Sequence, residues 1–214
     1  MIVTIDGPAG AGKSTVARAL AARLGFKLLD TGAMYRAVTL AALRSEVLHD
    51  DEQLASLAAE VSIRIEDDNV FLDGEDVSQA IRTPEVTRAI HAVADNPRVR
   101  SRLVELQRQF AQGSDIVCEG RDQGTVAFPD ADCKIYLVAS AEERAKRRQR
   151  ELKARGREQS FDEVLADQNE RDHRDQSRPV GALKRADDAH EVSTDGLTLD
   201  EVVRKLEAIV CGDR

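Results

Sequence analysis

IDGPAGAGKST, from Ile5 to Thr15, is the stretch on which the reading of the whole chain turns. Inside it, Gly7-Pro8-Ala9-Gly10-Ala11-Gly12-Lys13-Ser14 satisfies G-x-x-x-x-G-K-[ST]. The run before it, MIVTI, is short and apolar, as a strand buried in a parallel sheet is. Beyond it, Val16, Leu20 and Leu24 recur at helical spacing, and Gly25 stops the helix. Strand, glycine loop and helix are the context that the motif demands. The glycines let the backbone curl so that successive N–H groups face one chain of oxyanions, and the helix N-terminus adds partial positive charge. Lys13 is able to reach the outer phosphates, and the Ser14 hydroxyl is placed to ligate Mg²⁺ directly. Gly7 through Thr15 therefore read as a nucleoside triphosphate site in an α/β fold. A chance glycine-rich turn would lack both the Lys-Ser-Thr and the flanks.

Working outward, KLLD (27–30) is a second short strand and AMYRAVTLAALR (33–44) a second helix. Strand–helix alternation then breaks. Val61, Ile63 and Ile65, then Val70 and Leu72, alternate about the polar turn EDDN (66–69), which predicts an inserted antiparallel hairpin or three-stranded sheet. A helical stretch runs from Pro84 to about Gln112 and is interrupted at Pro97. DIVCEG (115–120) and CKIYLVAS (133–140) read as two more core strands. EERAKRRQRELKARG (142–156) is a strongly basic helix, SFDEVLADQNERDHRDQSR (160–178) another helix, and LDEVVRKLEAIV (199–210) a closing amphipathic one.

A chain of 214 residues that is 42% hydrophobic builds one core with insertions. With 3% aromatics and no Trp, that core is aliphatic. A charged fraction of 33% and a net charge of −8 carry no general affinity for nucleic acid. No apolar run reaches the ~18 residues that would cross a membrane, and the N-terminus lacks the pattern of a secretory signal. Cys118, Cys133 and Cys211 are far apart, with no CxxC, so they are expected to be buried thiols in a reducing cytoplasm.

Three classes of protein use such a loop. A GTPase switch would carry an N/T-K-x-D guanine-reading element, which this chain does not have. A motor-type ATPase usually needs a longer chain. A small kinase needs a second, positively charged pocket for its acceptor, and several stretches here could supply one. Tyr35 and Arg36 follow Asp30-Thr31-Gly32 and could present a hydroxyl and a guanidinium to a phosphate, although Arg36 alone could be a solvated helix charge. Glu119, Arg121 and Asp122 come off the C-terminal end of a core strand, where ligands of open α/β sheets collect. The acid at the end of that strand makes Glu119 a candidate outer-sphere Mg²⁺ group. From Arg144 to Arg157 eight basic residues face only Glu151, as a solvated helix or as a local device. Arg171, Asp175 and Arg178 fall at i, i+4 and i+7, on one helix face, as a salt-bridge ladder or as a binding set. His49, His91, His173 and His190 show no metal-ligand spacing and read as surface residues, His91 being the one with a possible second role.

With these stretches in view, the chain resembles the bacterial-type cytidylate kinases of the nucleoside monophosphate kinase group over essentially its full length. DGPAGAGKST, LLDTGAMYRAVTLAAL, GEDVSQAIRTPEV, PRVR, EGRDQGTVAFPDADCKIYL, the basic helix and RDHRDQSRPVGALKRADDA carry the resemblance in order and spacing. It implies a three-layer α/β fold with a five-stranded parallel sheet, helices on both faces, a small antiparallel β insertion and a helical lid. The division it implies is a core of 1–60, 113–143 and 179–214, an acceptor-binding insertion over about 61–112, a basic lid over about 144–160 and an acceptor-contacting helix over about 161–178. It implies phosphoryl transfer from ATP to CMP or dCMP, with Mg²⁺, by a cytoplasmic monomer with no nucleic-acid or membrane partner. On these positions, Arg36 and Arg121 would hold the CMP phosphate, with Tyr35, Thr31 and Arg171 assisting. Arg100 and Asp122 would read cytosine, Asp175 and Arg178 would hold the sugar, and Arg144 and Arg148 would clamp ATP from the lid. Lys13, Arg121, Arg148 and Arg171 would be the catalytic charges. The chain departs from the family where His91 replaces a small hydroxyl residue facing the base, where Ser193 replaces Asp, and where Glu119 replaces Asp. A non-enzymatic ATP-binding regulator and a shikimate-type kinase are the rival readings; Arg100, Asp122 and Asp175 together ask for a base and a sugar.

Overall fold

Strand β1 (Ile2–Asp6) is buried from Val3 onward, because a strand inside a parallel sheet is covered on both faces. In the computed structural model, which describes residues 1–66, 69–154 and 156–212, β1 lies at the middle of a five-stranded sheet. Its companions are β2 (Lys27–Asp30), β6 (Ile116–Gly120), β7 (Cys133–Val138) and β8 (His190–Ser193), in the order β2-β6-β1-β7-β8. β1 pairs in parallel with both β6 and β7, and β7 with β8. The register sets Ile5 beside Glu119 and Asp6 beside Gly120, so the two chain segments that leave these strands start side by side. A second, antiparallel sheet joins β3 (Ile63–Glu66), β4 (Asn69–Leu72) and β5 (Glu75–Asp76). The expected inserted sheet is therefore three-stranded. Its EDDN turn falls on Asp67 and Asp68, outside the described residues, as does Arg155 of the basic run.

By packing, the chain divides into two units: Met1–Phe26 with Asp115–Arg214, and Lys27–Ser114. In the first, α1 (Lys13–Leu24) buries Val16, Ala17, Leu20 and Ala21 and ends at Gly25, whose left-handed backbone lets its N–H reach Ala21 O. It packs against β6 and α8 (Leu199–Cys211). α6 (Ala141–Ala154) and α7 (Phe161–Ser177) close over Ala145, Leu152 and Val164. Capping boxes start α7 at Ser160 and Glu163 and α8 at Thr198 and Glu201.

The second unit holds α2 (Thr31–Arg44), α3 (Asp51–Glu60), α4 (Pro84–Asp95) and α5 (Pro97–Ala111). α2 starts two residues before the expected Ala33, because the Asp30 carboxylate accepts the Ala33 N–H and fixes the first turn. The expected break at Pro97 is there, and Asn96, held extended ahead of the proline, caps α5 through the Arg98 and Val99 amides.

Some elements depart from expectation. α3 has no counterpart in the sequence expectation; it buries Leu54, Ala55 and Ala58 on one face. β8 has only Val192 buried, so no apolar run announces this edge strand. Arg178 lies beyond α7 with an extended backbone, because Pro179 disfavours a helical residue before it. The expected single helix face of Arg171, Asp175 and Arg178 is corrected accordingly. Cys118 and Cys133 are buried as expected, but Cys211, at the end of α8, is exposed. Among the described residues, no helix is long and apolar enough to cross a membrane.

Candidate active site

Gly7 begins the loop at φ +151, and a Cβ there would fall 2.1 Å from the Leu137 carbonyl oxygen on β7. Only glycine allows the loop to leave β1 so close to its neighbour strand. Gly10, at φ +81, faces Gln168 and Arg144, which a side chain would meet at 3.0 and 3.2 Å. Gly12 is left-handed and leads into α1. Lys13 is buried and folds back over the loop, its Nζ donating to Pro8 O at 2.8 Å. Burial, with the Arg121 charge second, lowers its pKa to about 7, against the pull of Glu119. Ser14 Oγ donates to Glu119 Oε1 at 2.6 Å. That pair joins the first turn of α1 to the end of β6.

A hydroxyl and a carboxylate are hard oxygen donors of the kind that suit Mg²⁺, which usually takes one or two carboxylates and completes its shell with water and substrate phosphates. Among the described residues no group of three His, Cys, Asp or Glu could hold a metal by itself.

Just past β6, residues Gln123–Ala127 form one turn of π-helix, with the Val126 and Ala127 amides both donating to Asp122 O. Arg121 and Asp122 stand at its entrance. Arg121 Nε donates to Asp175 Oδ2 at 2.8 Å, and Arg178 Nη2 donates to Asp175 Oδ1 at 3.0 Å. Burial opposes the Arg121 charge, yet Asp175, Glu119 and Asp172 outweigh it and raise its pKa further. Asp175 is likewise held below the usual carboxylate range: its burial is outweighed by Arg121, Arg171 and Arg178. The ladder thus runs Arg121–Asp175–Arg178, and Arg171 is exposed, near enough for its charge to act on Lys13 and Asp175.

Arg144 is buried, 5% exposed. It donates to Ala9 O at 3.0 Å and Ala139 O at 3.1 Å and pairs with Asp172 at 2.6 Å. Gln168 holds its backbone through Arg144 O at 3.2 Å. Arg148 is half-exposed and pairs with Glu151. Arg147, which the sequence reading left out, reaches Ala11 O at 3.5 Å and Thr194 Oγ1 at 3.0 Å. Its signal was available, since a residue three positions from Arg144 shares its helix face.

In the second unit, Thr31 is buried at the start of α2. Tyr35 is buried, with the Arg100 guanidinium 5.4 Å from its ring centre in a cation–π contact. Arg100 donates to Ala94 O at 3.0 Å. Arg36 is no solvated charge: it is half-buried and donates to Thr87 Oγ1 at 2.8 Å and Ile81 O at 3.3 Å. His91 lies exposed on α4.

Residues 3–211 match the family model described as "Cytidylate kinase". The chain belongs to the cytidylate kinase family. Relatives with that name include one from Rhodopirellula baltica, 54% identical over 98% of this chain and 92% of its own. Another, from Desulfitobacterium hafniense, is 50% identical over 95% of this chain and 90% of its own. Among solved structures, a shikimate kinase from Bacteroides thetaiotaomicron superposes with a TM-score of 0.51 at 12% identity, over 98% of each chain. An uncharacterized protein from Eubacterium ventriosum does so with a TM-score of 0.53 at 12% identity, over 99% of this chain and 98% of its own. These two share the fold of this cytidylate kinase family member, and the likeness extends to the fold alone.

Proposed function

We propose that this chain transfers the γ-phosphoryl group of ATP to CMP or dCMP, giving ADP and CDP or dCDP. The observation that carries this reading is the family match across residues 3–211, which includes the loop and the acceptor-side residues alike. A phosphate oxygen of CMP attacks the γ-phosphorus, and the bond from that phosphorus to the ADP oxygen breaks. The acceptor is already an anionic nucleophile, so the protein's task is alignment and neutralisation of charge. Lys13 follows the charge between the donor phosphates, and Gly7 through Thr15 hold them. Mg²⁺ at Ser14, with Glu119 behind it, supplies charge neutralisation on the donor phosphates when bound.

In the first unit, Arg121 and Arg171 serve the acceptor phosphate, Asp122 the cytosine, and Asp175 with Arg178 the sugar. In the second, Arg36, Tyr35 and Thr31 serve the phosphate and Arg100 the base, with His91 near it. The pairing of Arg121 with both Gly120 O and Asp175 supports this division, because it fixes a guanidinium whose charge acts on Lys13. Arg144 works by bracing the glycine loop, and Arg148 is the lid charge that closes on ATP. The core, acceptor-binding and lid segments expected from the sequence belong to the same reading, as do a monomeric state and a cytoplasmic setting. The free thiols among the described residues fit a reducing compartment.

Coupled measurement of ADP release against CMP, dCMP, UMP, AMP and shikimate tests the proposal. Turnover with CMP and dCMP well above the rest is expected. Turnover with shikimate alone, or ATP binding with no turnover on any acceptor, would overturn it. Gel filtration with light scattering tests the monomer.

A further inference from the structure

Val164, Gln168, Asp172 and Asp175 fall at i, i+4, i+8 and i+11 on α7, which places them along one face of the helix. α7 packs against α6. Along that face the contacts change in kind. Val164 joins Ala145 and Leu152 in an apolar cluster. Asp175, at the far end, holds Arg121 and Arg178. Between them, Gln168 and Asp172 both engage Arg144: Gln168 Nε2 donates to the Arg144 carbonyl at 3.2 Å, and Asp172 Oδ2 pairs with Arg144 Nη1 at 2.6 Å. The same Nη1 donates to Ala9 O at 3.0 Å, inside the glycine loop. A Cβ on Gly10, the next residue, would lie 3.0 Å from Gln168 Nε2 and 3.2 Å from Arg144 Cβ, so the loop backbone rests directly on this pair.

We infer that Asp172, with Gln168 beside it, is a positioning residue for the phosphoryl donor: it fixes the Arg144 guanidinium that holds the Ala9–Gly10 peptide of the glycine loop. This rests on the reading of the loop as the ATP site. A planar trans peptide carries its C=O and N–H on opposite sides, so an Ala9 oxygen held on Arg144 turns the Gly10 N–H the other way. That N–H is one of the donors that a phosphate chain in the loop would use. The Arg144 and Asp172 side chains are 6% and 13% exposed, so the pair is little screened by solvent and its charge-assisted geometry is firm. The other brace on the loop is looser, since Arg147 and Thr194 reach Ala11 O only at 3.5 and 3.4 Å. α7 therefore serves both substrates from one face, the donor through Asp172 and the acceptor through Asp175.

Asp172→Asn keeps the volume and removes the charge that holds Arg144. Gln168→Met keeps length and burial and removes the amide donor. Both are measured beside Arg144→Ala and Lys13→Ala for kcat, for KM with ATP and with CMP, and for Tm. Asp172→Asn is expected to raise KM for ATP about tenfold, for one weakened charge-assisted hydrogen bond, with a much smaller change in KM for CMP. The Asp172 charge also acts on Arg121, yet more weakly than those of Asp175 and Glu119, which is why the effect falls mainly on the donor. In the Arg144→Ala background the same substitution is expected to add little, because it acts through that guanidinium. Should Asp172→Asn fail to fold, Gln168→Met carries the decision, and a selective rise in KM for ATP is expected of it too. A lowered Tm with KM for ATP unchanged, equal rises in both KM values, or full additivity with Arg144→Ala would overturn the inference. If Lys13→Ala lowers turnover and neither α7 variant moves KM for ATP, this inference alone fails. If Lys13→Ala turns over as wild type does, the loop's assignment fails and takes this inference with it.

Discussion

Lys13 has a buried ammonium whose one protein acceptor shown is the Pro8 carbonyl, and whose pKa sits at about 7 because burial penalises its charge. A group so placed is costly until a polyanion arrives. Lys13→Ala is expected to lower kcat about 10²–10³-fold, the range for one preorganised electrostatic group, with Tm unchanged or higher. Wild-type turnover in the variant would contradict the loop's role. Asp175 shows the opposite economy. Its folded pKa is depressed by Arg121 and Arg178, so the stability it contributes is present above the unfolded value of 3.8 and is lost as pH falls through the folded one. Asp175→Asn should therefore cost most near pH 7 and progressively less below about pH 4, as read from urea midpoints. The same variant should raise KM for CMP more than for ATP. A stability loss with both KM values unchanged would leave the residue to the ladder alone.

Elements carry the next layer, because several side chains work from the first turn of a helix. Arg100 is the fourth residue of α5, and its amide donates to Asn96 O at 3.1 Å. Asn96 caps that turn and also donates from its side chain to Asp51 O, which ties α5 to the start of α3. Asn96→Ala should cost about 1 kcal/mol in stability, the usual loss for an N-cap, and should raise KM for CMP because Arg100 loses its fixed base. Thermal melts and acceptor titration check both. In α6 the basic residues differ in placement. Arg144 and Arg147 face the loop and bond its carbonyls, whereas Arg148 points to the outer pair with Glu151.

For the molecule as a whole, the proposed reading turns on the choice of base. On that reading, cytosine's N4 donor would meet a carboxylate at Asp122 and its N3 and O2 acceptors a guanidinium at Arg100. Uracil reverses the N4 and N3 sites, leaving buried groups on the protein unpaired. Wild type should therefore prefer CMP over UMP, and Asp122→Ala should lower kcat/KM for CMP by roughly 10–100-fold, equivalent to about 1–3 kcal/mol for an unpaired polar group. Equal turnover of CMP and UMP by wild type would contradict this assignment.

Local chemistry was legible in the chain itself. Gly7 to Ser14 announced a strand, a phosphate loop and a helix, because each requirement there is met by neighbours in sequence: glycine for positive φ, lysine and serine at the helix start. Pro84 and Pro97 likewise marked the two helix starts. What the chain could not show is which distant groups satisfy one another. The Asp6 carboxylate, at a strand end, looks like any acid leaving a sheet, and only the β1–β6 register brings the Gln123 and Gly124 amides to it. Val192 alone could not reveal β8, whose place depends on pairing with β7. Nor could the run from Arg144 to Arg148 say which arginine is buried against Ala9 and Asp172. Where residues within a turn of one another set the backbone, as at the glycine loop and the two proline helix starts, sequence determined it; the edge strand β8 and the partners of buried charges are set by long-range pairing and packing, and tertiary structure alone decided those.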